Sequence, residues 1–206
     1  MTKIKICGLS RPCDIEFVNE AKPDFCGFII HVPKSKRNVT PETVRQLVTG
    51  LSPEIRPVGV FVNAPIVEIV SLAQDGTLSY VQLHGQEDEA YIAALRRHIQ
   101  IPIIQAFKVR CPEDVQRAEA SSADYILLDN GSGGTGKTFD WNHLSGITRP
   151  YILAGGLDPE NLPTAVSRLS PWGVDLSSGV ETDGVKDRAK ILAAVKAVRS
   201  ASASLS

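Results

Sequence analysis

GSGGTGKT, residues Gly131–Thr138, follows the apolar run Tyr125-Ile126-Leu127-Leu128 and Asp129. Letter for letter it fits G-x-x-x-x-G-K-[ST], in which backbone N–H groups cradle phosphates and the lysine reaches the terminal ones. Read that way, it is a nucleotide-binding P-loop; separately, an open doubly wound sheet is the alternative fold. Read as an ordinary loop after a strand, it is compatible with a closed barrel. The residues that follow favour the second reading. A phosphate-cradling loop opens a long helix, but FDWNHLSG (139–146) leads to Thr148-Arg149-Pro150, leaving room only for a short helix over 141–147.

Outward from this loop, one rhythm runs through the chain. Short β-branched apolar runs alternate with segments of helical period, the pattern of parallel α/β architecture. The predicted strands are 3–7, 24–30, 57–62, 79–83, 102–107, 124–128, 150–154 and 172–176. Five of them precede the strand feeding the Gly-rich loop and two follow it. Between them, Val44, Leu47, Val48 and Leu51 recur at helical spacing behind Thr40 as N-cap and Pro41 at the first helical position. Leu162, Ala165, Val166 and Leu169 repeat the pattern behind Asp158 and Pro159. Residues 66–74, 87–99 and 187–199 carry similar stripes, while 11–21 and 113–120 are weaker. Eight strand-then-helix units predict a single-domain (β/α)₈ TIM barrel over 1–199, compact and with tight loops. The tail at 200–206 is expected to fray.

Composition sets the outer limits. The 206 residues suffice for one well-cored domain, and the formal net charge of −1 gives no global field for nucleic acid or an anionic membrane. No apolar run has the length to span a bilayer, and MTKIKICG enters a strand without a signal-like apolar region. Cytoplasmic residence is the expectation. Cys7, Cys13, Cys26 and Cys111 form no C-x-x-C pair and no ligand spacing with His, so free thiols and no metal site are expected.

In such a barrel the chemistry sits where strands end. There the sequence places Cys7-Gly8, the PKSKR loop with Ser35 and Arg37, Gln82-Leu83-His84-Gly85, Asp129-Asn130, Ala154-Gly155-Gly156 and Asp175-Leu176-Ser177-Ser178-Gly179. Backbone without Cβ can approach a phosphate, and the barrel's usual phosphate site lies after its last two strands. Gly155, Gly156, Ser178 and Gly179 therefore point to a phosphorylated ligand. Strand parity puts Lys3, Lys5 and Cys7 on one face and Ile4 and Ile6 on the other. Lys5 should thus point into the barrel beneath Cys7, with Asp175 as its partner. A cation there is expected to lower the Cys7 pKa.

These stretches resemble the phosphoribosylanthranilate isomerase family. The resemblance covers nearly the whole chain: KICG (5–8), GF (27–28), SKR (35–37), GVFV (59–62), QLHG (82–85), LLD (127–129), GGTG with FDW (133–136, 139–141), LAGGL (153–157), GVDLSSGVE (173–181) and GVKD (184–187). It implies a barrel without cofactor or metal, present as monomer or homodimer. It also implies an Amadori rearrangement of N-(5-phosphoribosyl)anthranilate to the 1-deoxyribulose 5-phosphate derivative. By the same resemblance Cys7 is the general base and Asp129 the general acid, which asks for a lowered thiol pKa and a raised carboxyl pKa. Arg37 binds the anthranilate carboxylate or steadies the acid. Gln82 and His84 lie around the substrate, His84 in support more than in proton transfer. The Gly-rich loop becomes a flap that excludes water, with Lys137-Thr138 as filler. The alternatives are a histidine-pathway isomerase on the same barrel, which typically uses two aspartates, and a nucleotide binder acting through Gly131–Thr138.

Overall fold

The structure, a computed structural model, describes residues 1–129, 141–144 and 146–203. Eight parallel strands form the barrel: β1 Lys3–Cys7, β2 Phe25–Ile30, β3 Arg56–Phe61, β4 Tyr80–Leu83, β5 Ile103–Lys108, β6 Tyr125–Asp129, β7 Tyr151–Leu153 and β8 Gly173–Leu176. Each pairs with the next, and β1 pairs with both β2 and β8. That double pairing closes the sheet and rules out the open doubly wound alternative. A two-residue strand, Asn38–Val39, extends the outer end of β2.

Among the described residues seven helices surround the barrel: α1 Pro12–Ala21, α2 Pro41–Thr49, α3 Ile66–Gln74, α4 Glu89–Arg96, α5 Pro112–Glu119, α6 Leu162–Leu169 and α7 Arg188–Ala203. Among the described residues between β6 and β7 stands a 3₁₀ turn, Trp141–Leu144. The Gly-rich loop, its phosphate-cradling motif and the flap assigned to it lie outside the described residues.

The two weakly predicted helices share a device. Asp14 Oδ2 accepts the backbone N–H groups of Ser10 and Arg11, and Asp114 Oδ2 accepts those of Arg110 and Cys111. Each carboxylate satisfies donors that a helix start leaves open, behind a proline at the first position. At α2, Thr40 Oγ1 takes the N–H of Thr43 as expected. At α6 the expectation fails by three residues. Asp158 Oδ1 accepts from Glu160 and Asn161, closing a separate turn, and the helix begins only at Leu162. Within the expected tail, α7 runs to Ala203, where Ser202 is buried and its Oγ takes the Thr2 N–H; residues 204–206 lie outside the described residues.

Side-chain parity sorts the core into two. Ile4, Ile6, Cys26 and Phe28 face outward and join the large cluster beneath the helices. Phe25, Val58, Ile104, Leu127 and Ile152 fill the barrel interior. Below them Phe25, Tyr80, Tyr125 and Trp172 form a chain of ring contacts, with centroids 4.5–6.1 Å apart. These rings plug the N-terminal end of the barrel. The opposite end holds a cavity.

Candidate active site

At the C-terminal end the strand ends enclose a cavity of about 240 Å³. Cys7 of β1, Gln82 and the following His84 of β4, and Asp129 of β6 share its walls. Arg37, from the loop after β2, and Gly155, Gly156 and Ser178, from the last two strand ends, complete it. Gly179 alone of the expected residues does not reach the wall. A Cβ there would lie 1.9 Å from the Leu157 carbonyl oxygen, so glycine lets the loops after β7 and β8 touch. Gly155 and Gly156 both adopt positive φ, 88° and 70°, which favours glycine.

Lys5 points inward as strand parity requires. Its Nζ donates to both Asp175 oxygens at 3.0 Å, and β1–β8 register sets the two residues side by side. Both are almost wholly buried, and Cys7 lies in the next inward position. Burial alone would pull the Lys5 ammonium down, but Asp175 and the Cys7 sulfur outweigh it and the net shift is upward. For Cys7 the outcome reverses the sequence expectation. Burial pushes the thiol up, and Lys5 opposes it without prevailing.

Gly27, the β1–β2 register partner of Cys7, makes room for this group. A Cβ on it would stand 2.8 Å from Cys7 Sγ and 3.0 Å from Lys5 Nζ. Gly27→Ala is therefore expected to displace both groups. It should destabilise the fold by about 1–3 kcal/mol, read by chemical denaturation, and depress turnover more than a surface glycine substitution such as Gly76→Ala.

On the facing wall, Gln82 Nε2 donates to His84 Nδ1 at 2.9 Å. An amide N–H₂ can only donate, so in the neutral ring the proton sits on Nε2. That nitrogen faces Asp129 Oδ2 at 3.6 Å, beyond direct hydrogen-bond length. Asp129 Oδ1 and Gln82 Oε1 are both buried and have no hydrogen-bond partner among the described residues. Two buried acceptors without donors beside a cavity are where a ligand's donors fit.

Two residues at the rim escaped the sequence reading. Arg37 donates from Nε and Nη2 to Glu181 Oε1 and Oε2, at 2.6 Å each. Glu181 Oε1 also takes the Lys186 ammonium, whose second acceptor is the Ser177 carbonyl at 3.0 Å. Glu181 and Lys186 face each other across a short antiparallel hairpin, turned by Asp183 and Gly184 with φ of 53° and 79°. Asp-Gly with both φ positive is the preferred two-residue hairpin turn. The dipeptide was a legible signal. What the hairpin would hold was not. Burial pulls the Lys186 ammonium down while Glu181 opposes. For Glu181 burial raises the carboxyl, but Arg37 and Lys186 together hold it below its ordinary range. Among the described residues no group of three or more His, Cys, Asp or Glu is arranged to hold a metal ion.

The chain matches the family model of N-(5'-phosphoribosyl)anthranilate isomerase over residues 4–197. It is 47% identical to the N-(5'-phosphoribosyl)anthranilate isomerase of Endomicrobium trichonymphae, over 97% of this chain and 100% of that protein. The phosphoribosyl anthranilate isomerase of Thermotoga maritima superposes with a TM-score of 0.87 at 37% identity, over 97% of this chain and 100% of the other. A phosphoribosyl anthranilate isomerase solved with reduced 1-(o-carboxyphenylamino)-1-deoxyribulose 5-phosphate superposes with a TM-score of 0.84 at 36% identity, with the same coverage.

Proposed function

This chain belongs to the N-(5'-phosphoribosyl)anthranilate isomerase family, and from that premise we propose how its own residues divide the reaction. It is an isomerase of tryptophan biosynthesis acting on a phosphoribosyl substrate. Asp129 gives a proton to the furanose ring oxygen. The C1′–O bond breaks, and the anthranilate nitrogen lone pair forms the C1′=N⁺ bond. Cys7 takes the proton from C2′, and the C–H electrons form C1′=C2′ and neutralise the nitrogen. The resulting enolamine tautomerises to the ketone. Asp129 thus loses one proton and Cys7 gains one, so turnover starts from a protonated acid and a thiolate.

The observation that carries this division is the cavity itself. A thiol on β1 and a carboxyl on β6 whose buried Oδ1 has no hydrogen-bond partner among the described residues share one cavity, closed below by packed side chains. The ring-opened cation would lie between them, where it adds to Lys5 in favouring the thiolate. Arg37 meets the substrate carboxylate as a planar donor. Gln82 Oε1 accepts from a substrate hydroxyl. Gly155, Gly156 and Ser178 surround the phosphate, with Gly179 holding their two loops together.

Phosphoribosylanthranilate generated in situ and followed by loss of its fluorescence tests the activity. The folded wild type should consume it, and a folded but inactive wild type would refute the reading. The thiol makes a separate prediction. Difference absorbance of thiolate, wild type minus Cys7→Ser, should titrate with a midpoint above the ordinary ~8.5. A raised pKa means the thiolate appears only as pH climbs past that value. A midpoint below it would show that Lys5 prevails over burial.

A further inference from the structure

We propose that Glu181 is the positioning residue for Arg37, and that Lys186 keeps the guanidinium charge available to the carboxylate on the substrate's aromatic ring. This inference rests on the isomerase reading above. Glu181 engages the Nε and Nη2 side of the guanidinium through two 2.6 Å bonds. Such a two-point grip fixes the plane of the group, leaving the Nη1 end for a ligand. The stem of Arg37 is held as well. It lies across Gly8, where a Cβ would come within 2.4 Å of Arg37 Cδ, directly beside Cys7. Both the guanidinium and the stem of Arg37 are thus held at the cavity rim.

A single carboxylate gripping a single arginine would neutralise it. Here the carboxylate is shared. Lys186, 1% exposed in its side chain, bonds the same Glu181 oxygen, so the three groups together carry one net positive charge. The hairpin makes the sharing obligatory, because its register sets Glu181 opposite Lys186. A further tie secures the hairpin from outside. Arg11 Nη2 donates to the Lys186 carbonyl at 2.9 Å, and Arg11 is itself paired with Asp14. The chain thus spends two buried side chains on orienting and charging one arginine. A structural ion pair alone would need neither the second cation nor the opening beside Cys7.

The test compares two ligands. One is reduced 1-(o-carboxyphenylamino)-1-deoxyribulose 5-phosphate, and the other is its phenylamino counterpart without the carboxyl group. The ratio of their dissociation constants measures carboxylate recognition. In Glu181→Gln and in Lys186→Met this ratio should fall on the order of tenfold. The carboxyl-free ligand should bind within a few-fold of wild type. Glu181→Asp, which keeps the charge but shortens the reach, should recover part of the ratio. An unchanged ratio, or equal weakening of both ligands, overturns the proposal and leaves the hairpin a structural brace. If Glu181→Gln loses both ligands by misfolding, Lys186→Met decides, since it leaves the Arg37–Glu181 grip intact. A wild type that binds neither ligand overturns the isomerase reading and this proposal with it. A wild type that binds both, with the ratio unmoved in the variants, overturns this proposal alone.

Discussion

Asp129→Asn is expected to lower kcat by about 10²–10⁴-fold, the range general acid catalysis supplies. The amide keeps the size and planarity of the carboxyl group but has no acidic proton to give the ring oxygen. Ligand affinity should change little, because the substitution leaves the rest of the cavity wall in place. Cys7→Ala should fall as far for the complementary reason: nothing else on β1 can accept the C2′ proton. His84→Ala separates proton transfer from support. His84 stands 3.6 Å from Asp129 and is oriented by Gln82, so its loss should cost less than that of the acid. If Asp129→Asn keeps more than a tenth of wild-type kcat while His84→Ala is inactive, the acid has been assigned to the wrong side chain.

The second large effect concerns stability. Lys5→Met removes the only cation bonded to the Asp175 carboxylate in the described structure. A buried carboxylate left without its partner destabilises by about 3–5 kcal/mol. For a domain of this size that corresponds to a drop in Tm of roughly 6–20 °C. The double substitution Lys5→Met with Asp175→Leu should regain much of the loss, since an apolar pair removes the charge as well as its partner. Because the Lys5 ammonium is held above its ordinary value, its contribution is complete below the unfolded-state pKa. It fades only as pH rises through the higher folded value. The Cys7 midpoint should also climb in Lys5→Met, with burial no longer opposed. A Tm within 2 °C of wild type would mean that Asp175 finds another partner or water.

Strand parity explains why much of this site could be read from the chain. Lys3-Ile4-Lys5-Ile6-Cys7 alternates, and a strand in a barrel has one face against the helices and one inside. Apolar Ile4 and Ile6 had to go outward, so Lys5 and Cys7 had to go inward. The same reasoning put Gln82 and His84 on one face. Strand ends could be located because helix caps and turn residues bound each run. Strand ends alone therefore place Asp129, Gly155, Gly156 and Ser178 at one end of the barrel. The α6 start was misplaced because Asp158-Pro159 is equally good as a free turn and as a helix cap. Serine and alanine carry little apolar signal, so the sequence gives no sign that Ser202 finds a buried partner in Thr2.

By itself the sequence determined the eightfold alternation and the placing of Cys7 and Asp129 at the ends of their strands. Both follow from local periodicity, which short-range sterics and burial impose residue by residue, whereas the roles proposed for Cys7 and Asp129 rest on the family resemblance. Tertiary structure alone decided two other things. One is the direction of the Cys7 shift, which depends on how completely packing removes water from the sulfur relative to the pull of Lys5. The other is the state of Arg37, which is gripped by a carboxylate 144 residues away. Both are balances between groups brought together only when β1 closes onto β8. Desolvation and Coulomb attraction depend on distance in space, and chain spacing carries no record of that distance.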